Sequence, residues 1–270
     1  MNQTALTGVM SASRDLSVIS NNLANAMTVG FKRSTSQFVD VIGLSQSERP
    51  GVTVGQGTVQ QSVRRTDTQG EIKTTQSSLD LAIMGAGHFT FADQAASGSD
   101  PTFSYTRAGQ LKLGVNGDLT DSSGRQLMGL PLAGGTNPKA VNILAAVGGD
   151  LTKVNSIAID NKGVISVQKT DGTSTKIAAV ALARFTNEDG LKNLGGSMVG
   201  ETALSGQAEY SRAGVNGFGD ISQGALEQGN VDMTAELLNM IRAQQAYNGN
   251  ARALQTGSEM LRSAIETLTR

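Results

Sequence analysis

The chain contains no cysteine, no tryptophan, a single histidine and only 4 prolines in 270 residues. Without cysteine there are no disulfides, thiolate metal sites or thiol nucleophiles. One histidine, His88, excludes multi-histidine metal sites and leaves a Ser-His-Asp triad no spare base. Lys+Arg total 22 against Asp+Glu 23, so the clear cationic excess that neutralises phosphates is missing and nucleic acid is not an expected partner. No run of about 18 apolar residues occurs, so no transmembrane helix and no membrane insertion are expected. Before Lys32 the only charges are Arg14 and Asp15. The start therefore lacks the basic and apolar regions of a Sec signal peptide. That fits a cytoplasmic protein and equally one exported without a cleaved signal. Aromatics make up 4% and hydrophobics 38% of the chain, so the interior must come from Ala, Val, Leu and Ile. Glycine, at 33 residues, stands well above its usual share of about 7% and implies many turns.

Helical periodicity marks both ends. Leu6, Val9, Ala12, Leu16, Ile19, Leu23 and Ala26 follow one another at steps of three and four, read as an a/d seam. The residues between are small and polar, and Gly30 is read as the helix stop. Near the other end Met233, Met240, Tyr247, Leu254, Leu261 and Leu268 stand seven apart, with Leu237, Ala251 and Ile265 four residues after three of them. Strict sevens favour supercoiling against a partner helix. Asp232 or Asn230 can cap this helix, with Glu236 near its positive first turn. The partner of each seam is the other terminus or the same helices of neighbouring copies, unless each is an ordinary amphipathic helix.

The middle switches to period two. Leu79–Met84, His88–Phe91, Phe103–Tyr105, Gln110–Leu113, Gln126–Leu127, Ile157–Ile159, Val164–Val167 and Lys176–Phe185 read as strands. Asn116-Gly117, Ser123-Gly124, Asp160–Gly163 and Asp171-Gly172 read as turns. The expected fold is α+β: N- and C-terminal helices paired as a coiled-coil, tube-forming domain (1–33 and 225–270), a connecting segment (34–58) and an inserted antiparallel β-rich domain (59–224).

Chemical sites do not emerge. Gly85-Ala86-Gly87 lacks the third glycine and following helix of a dinucleotide loop, and Gly51–Gly57 lacks the Gly-Lys-Ser/Thr of a phosphate loop. Asp80, Asp93 and Asp118 show no paired-carboxylate spacing, and Asp118 fits turn chemistry. His88 reads as a packed or surface residue. No catalytic residue, metal or cofactor is expected. Acidic residues are spread singly, with Glu188-Asp189 the only adjacent pair, at a turn before Gly190.

The stretch Ser20–Lys32 (SNNLANAMTVGFK) resembles the N-terminal signature of the bacterial flagellar rod and hook proteins, a pattern NN-(I/L)-AN-x-x-T-x-GFK. Gly224–Asp232, Glu236–Ile241 and Ala243–Tyr247 resemble the same family's C-terminal signature. Between them, Leu79–Ile83 with Gly85–Gly87, Tyr105–Gly109 and Ala183–Leu191 follow in the family's order. The resemblance implies an axial subunit, proximal rod, distal rod or compact hook, whose terminal helices form an inner coiled-coil tube with the β-domain outside. It further implies a helical homopolymer, neighbouring rod and hook proteins as partners, export by the flagellar type III apparatus, and a place in the basal body or hook. With the seams, it nominates Val9, Leu16, Ile19, Asn21, Asn22, Leu23, Asn25, Gly30, Phe31, Asn230, Val231, Asp232, Met240, Tyr247, Leu254 and Leu261 as assembly residues. The chain departs from the pattern in starting a few residues late, in His88 where an aromatic is common, and in Gly249 within the last helix. The alternative is a secreted β-domain with helical ends, an adhesin or ligand-binding protein.

Overall fold

The computed structural model describes residues 2–42, 55–93, 102–132, 135–144, 149, 152 and 154–268. The chain divides into two compact units: 1–26 with 32–66 and 231–270, and 27–31 with 67–230.

The first unit holds helix α1 (Asn2–Ala24), strands β1 (Ser34–Ile42) and β2 (Gly55–Arg65), and helix α2 (Met233–Leu268). α1 ends before Gly30. Its last turn closes where Asn25 donates to the Asn21 carbonyl from both its backbone N–H (3.1 Å) and its side-chain amide (2.9 Å). Asn at a helix end competes for backbone acceptors in this way, so the helix stops at Ala24 and Gly30 has another task. α2 starts at a capped end: Asp232 Oδ1 accepts from Thr234 N at 2.9 Å and Ala235 N at 3.1 Å. Asp232, not Asn230, is the cap.

Residues 34–58, expected to connect two domains, contain β1 and the start of β2, which pair antiparallel from Ser34 against Arg65 to Ile42 against Gly55. This ribbon belongs to the compact unit of the helices. Its strands are mostly exposed, Phe38, Val39, Val59 and Val63 included, and their apolar residues stand side by side or four apart, so the alternation that announces a half-buried strand is weak.

The second unit is β-rich, and every strand pairing among its described residues is antiparallel. In chain order its strands are β3 (Ile72–Thr74), β4 (Leu81–Met84), β5 (His88–Ala92), β6 (Phe103–Thr106), β7 (Lys112–Leu113), β8 (Leu119–Thr120), β9 (Gln126–Leu130), β10 (Lys139–Ala140), β11 (Val154–Ile159), β12 (Val164–Lys169), β13 (Ser174–Val180), β14 (Leu182–Arg184), β15 (Lys192–Gly195), β16 (Met198–Gly200), β17 (Glu209–Ser211), β18 (Asp220–Gln223) and β19 (Ala225–Glu227). The main sheet runs β11-β12-β13-β9-β5-β6-β16-β15, while β18 pairs with β4 and β19 with β3. β11 and β12, β12 and β13, and β15 and β16 pair across tight turns. The β11–β12 turn closes with Gly163 N donating to Asp160 O at 2.7 Å, and Gly163 sits at φ +73°, open to glycine at no steric cost.

β5 is buried on both faces. Around it Phe89, Phe91, Leu81, Ile83, Leu127 and Leu182 form the centre of an aliphatic and phenylalanine core. A smaller cluster joins Tyr105, Phe185 and Val199, with the Tyr105 and Phe185 rings edge-on at 4.8 Å.

Candidate functional site

The sequence signatures become two local constructions, one in each unit. In the first unit Asn22, 1% exposed, turns its amide onto the first residue of β1. Asn22 Nδ2 donates to Ser34 O at 2.7 Å, and Ser34 N donates to Asn22 Oδ1 at 2.9 Å. The side chain thus acts as a one-residue strand partner and satisfies a buried donor and acceptor together. Beside it, the guanidinium of Arg33 pairs with Glu236, which is 1% exposed, on the first turn of α2. These residues border a cleft of about 430 Å³ lined by Ile19, Asn22, Ser34, Glu236, Asn239 and Ala243 among others.

α1 and α2 lie against each other. Gly8 faces Asn250, so closely that a Cβ at Gly8 would stand 2.7 Å from Asn250 Cγ, while Ile19 and Asn22 share the cleft with Glu236 and Asn239. The helices are therefore antiparallel.

Along α1 the expected seam is turned inward except at its start: Leu6 is exposed, Ala12 and Ile19 are buried, and Val9, Leu16 and Leu23 are half-buried. Along α2 it is split. Met240 and Leu254 are half-buried, but Met233, Tyr247 and Leu261 are exposed, as are Leu237 and Ile265. The buried row of α2 is Glu236, Ala243 and Gly257, with Asn250 half-buried. The helices meet over small and polar side chains that allow close approach, a row that a search for large apolar residues passes over.

In the second unit three signatures meet. Gly30 N donates to Glu227 O at 2.9 Å, and Asn230 N donates to Phe31 O at 3.3 Å. Gly30 has φ +69°, and a Cβ there would lie 2.5 Å from Ala108 N. Both its conformation and its neighbour require glycine. The Glu227 carboxylate, 0% exposed, accepts from Gly70 N at 3.0 Å and faces Arg107 Nη1 at 3.5 Å. Arg107 Nη1 also donates to Gly85 O at 2.8 Å. Asn230 Nδ2 donates to Thr68 O at 2.9 Å and Thr68 Oγ1 at 3.0 Å. Asn230 therefore anchors a loop and caps no helix. Arg107 and Glu227 lie within the motifs Tyr105–Gly109 and Gly224–Asp232, whose local pattern assigns neither a role. Nothing local announces an ion pair between residues 120 positions apart.

The remaining polar features have packing roles. His88, 2% exposed on β5, stands edge-on to Phe185 with centroids 6.3 Å apart. Asp118 accepts from Gln126 Nε2 at 3.0 Å and Asn142 Nδ2 at 2.7 Å. The Tyr105 and Tyr210 hydroxyls lie 2.7 Å apart. Burial first, then that hydrogen bond and the nearby Glu201 carboxylate, raise the Tyr105 phenol well above its ordinary value, and burial raises Tyr210 as well. Among the described residues no group of three or more His, Cys, Asp or Glu side chains is placed to hold a metal ion.

Two terminal helices with an antiparallel β-unit inserted between them in the chain define a class of α+β subunit. Family models agree with it along the chain: "Flagella basal body rod protein" matches residues 3–32, "Flagellar hook protein FlgE/F/G D1 domain" residues 82–167, and "Flagellar basal body rod FlgEFG protein C-terminal" residues 222–267. The flagellar basal-body rod protein FlgG of Borreliella burgdorferi is 34% identical over 96% of this chain and 94% of its own length. FlgG of Caulobacter vibrioides is 34% identical over 98% of this chain and 97% of its own. The flagellar hook protein FlgE of Salmonella typhimurium is 23% identical over 97% of this chain and 98% of its own. The chain belongs to the flagellar basal-body rod and hook protein family. It is a structural subunit of the flagellar axis, and the adhesin alternative gives way to that reading.

Proposed function

We propose that the chain is a basal-body rod subunit whose terminal helices, with those of neighbouring copies, form the inner layer of a hollow helical tube. The observation that carries this reading is the apolar surface left open on α2. Met233, Leu237, Leu238 and Ile241 near its start and Met260, Leu261 and Ile265 near its end are all exposed. A soluble monomer gains nothing from apolar stripes at both ends of one helix, whereas stacking against further helices buries them at about 25 cal/mol per Å². The nominated residues divide accordingly. Tyr247 and Leu261 face outward for neighbouring subunits, while Ile19, Asn22, Gly30, Asn230 and Asp232 shape the subunit that presents them.

Rod rather than hook is supported by the higher identity to FlgG, 34% against 23%. The hook alignment also extends over 407 positions against the 270 residues here, so the hook relative carries segments without counterpart. Export through the flagellar type III apparatus and contact with adjoining rod and hook proteins complete the proposal. The test is expression in a motile bacterium lacking its own rod subunit, followed by isolation of basal bodies and sedimentation of the purified chain across concentrations. The chain is expected in the rod fraction and in pelletable polymer. A chain that stays monomeric at every concentration and is absent from basal bodies would sink the reading.

A further inference from the structure

We propose that the junction of Gly30 and Phe31 with Glu227 and Asn230 is a clasp that sets the register of α1 against α2, with Gly30 as its positioning residue. The direct contact between the helices is lean. Gly8 stands against Asn250, the buried row of α2 is Glu236, Ala243 and Gly257, and Leu237, Ile241, Tyr247 and Leu261 of α2 are exposed. The chain joining the helices runs from Asn25 to Asp232. The entropy cost of closing a loop grows with its length, and a contact built on glycine and alanine buries little apolar area to offset it.

The junction shortens that loop. The segment following α1 and the segment preceding α2 are bonded directly to each other, through Gly30 N to Glu227 O at 2.9 Å and Asn230 N to Phe31 O at 3.3 Å. Ala24 and Met233 are the nearest helical residues on either side. Once those bonds form, pairing of the helices becomes a short-range event at raised effective concentration. The clasp is also rigid. Gly30 is held against Ala108 at a distance no side chain allows, and Glu227 is fixed by Gly70 N at 3.0 Å and Arg107 at 3.5 Å.

The absence of cysteine makes the test clean. Gly8→Cys with Asn250→Cys in the full chain places two thiols where the helices stand in contact, within reach of disulfide geometry. In soluble chain under mild oxidation this pair is expected to cross-link readily. Adding Gly30→Ala is expected to slow cross-linking at least tenfold, while amide protection of β5 and β9 stays as before. This readout is made on unassembled protein, so it stands or falls apart from the proposed rod assembly. Cross-linking at the unmodified rate in Gly30→Ala would overturn the clasp. So would loss of protection in β5 together with the cross-link, because Gly30 would then serve the β-unit's fold rather than helix register.

Discussion

Asn22 and Ser34 exchange two hydrogen bonds, 2.7 Å and 2.9 Å long, in which a side-chain amide on a helix replaces a neighbouring strand's backbone. Only Asn places a donor and an acceptor at this reach. Asn22→Ala leaves both Ser34 groups without their partner, at a cost of about 1–3 kcal/mol. Asn22→Asp keeps the acceptor but sets a carboxylate against the Ser34 carbonyl, and is expected to be no milder. Hydrogen exchange of the Ser34 amide measures the effect directly. An unchanged exchange rate in both variants would refute it.

Leu254 and Leu261 separate folding from assembly. Leu254 is half-buried within the chain, whereas Leu261 is 57% exposed. Leu261→Ala should alter monomer stability by no more than about 0.5 kcal/mol yet raise the concentration needed for polymer at least tenfold. Leu254→Ala should lower both stability and assembly. Denaturant midpoints paired with pelleting assays decide the matter, and equal effects from the two variants would show that α2 has no separate outward face.

Arg107 and Glu227 form a buried pair, 5% and 0% exposed. Removing one partner strands the other charge, with a cost of about 3–5 kcal/mol, while replacing both by apolar residues is far milder. Glu227→Met alone should therefore destabilise the β-unit more than Arg107→Met/Glu227→Met together. A double-mutant cycle read by thermal melting checks this; additive single effects would mean the charges do not depend on each other.

The tyrosine pair predicts an alkaline limit. Tyr105 and Tyr210 have raised pKa values in the folded chain, mainly from burial. A folded pKa above the unfolded one means the unfolded state loses its proton first as pH rises. The stabilisation is thus complete below the unfolded value of about 10 and is lost above it. Melting temperature should fall as pH climbs past about 10, and Tyr105→Phe/Tyr210→Phe should flatten that fall. A steeper fall in the double variant would contradict the assignment.

What could be read from sequence follows from how local each signal is. The β11–β12 and β12–β13 hairpins were visible because a turn dipeptide and a short apolar run lie within a few residues of each other. The Asp232 cap was one of two neighbours offered for the role. By contrast β1 and β2 are mostly exposed, and the apolar residues of β1 stand as adjacent pairs, Phe38-Val39 and Val41-Ile42, so 34–58 carries no alternation to reveal a ribbon. The buried row Glu236, Ala243 and Gly257 is small and polar, so the seven-residue repeat of larger side chains drew attention to positions that are partly exposed. Gly30 has the signature of a helix stop; its actual constraint, the backbone of Ala108, lies far along the chain and no spacing rule reaches it.

The division into units has a further consequence. Their boundaries fall at 26/27, 31/32, 66/67 and 230/231, so the backbone passes between them at each of these places rather than through one linker. A protease that cuts at any single boundary leaves the units covalently tethered through the others. Severing one from the other takes a cut at every crossing.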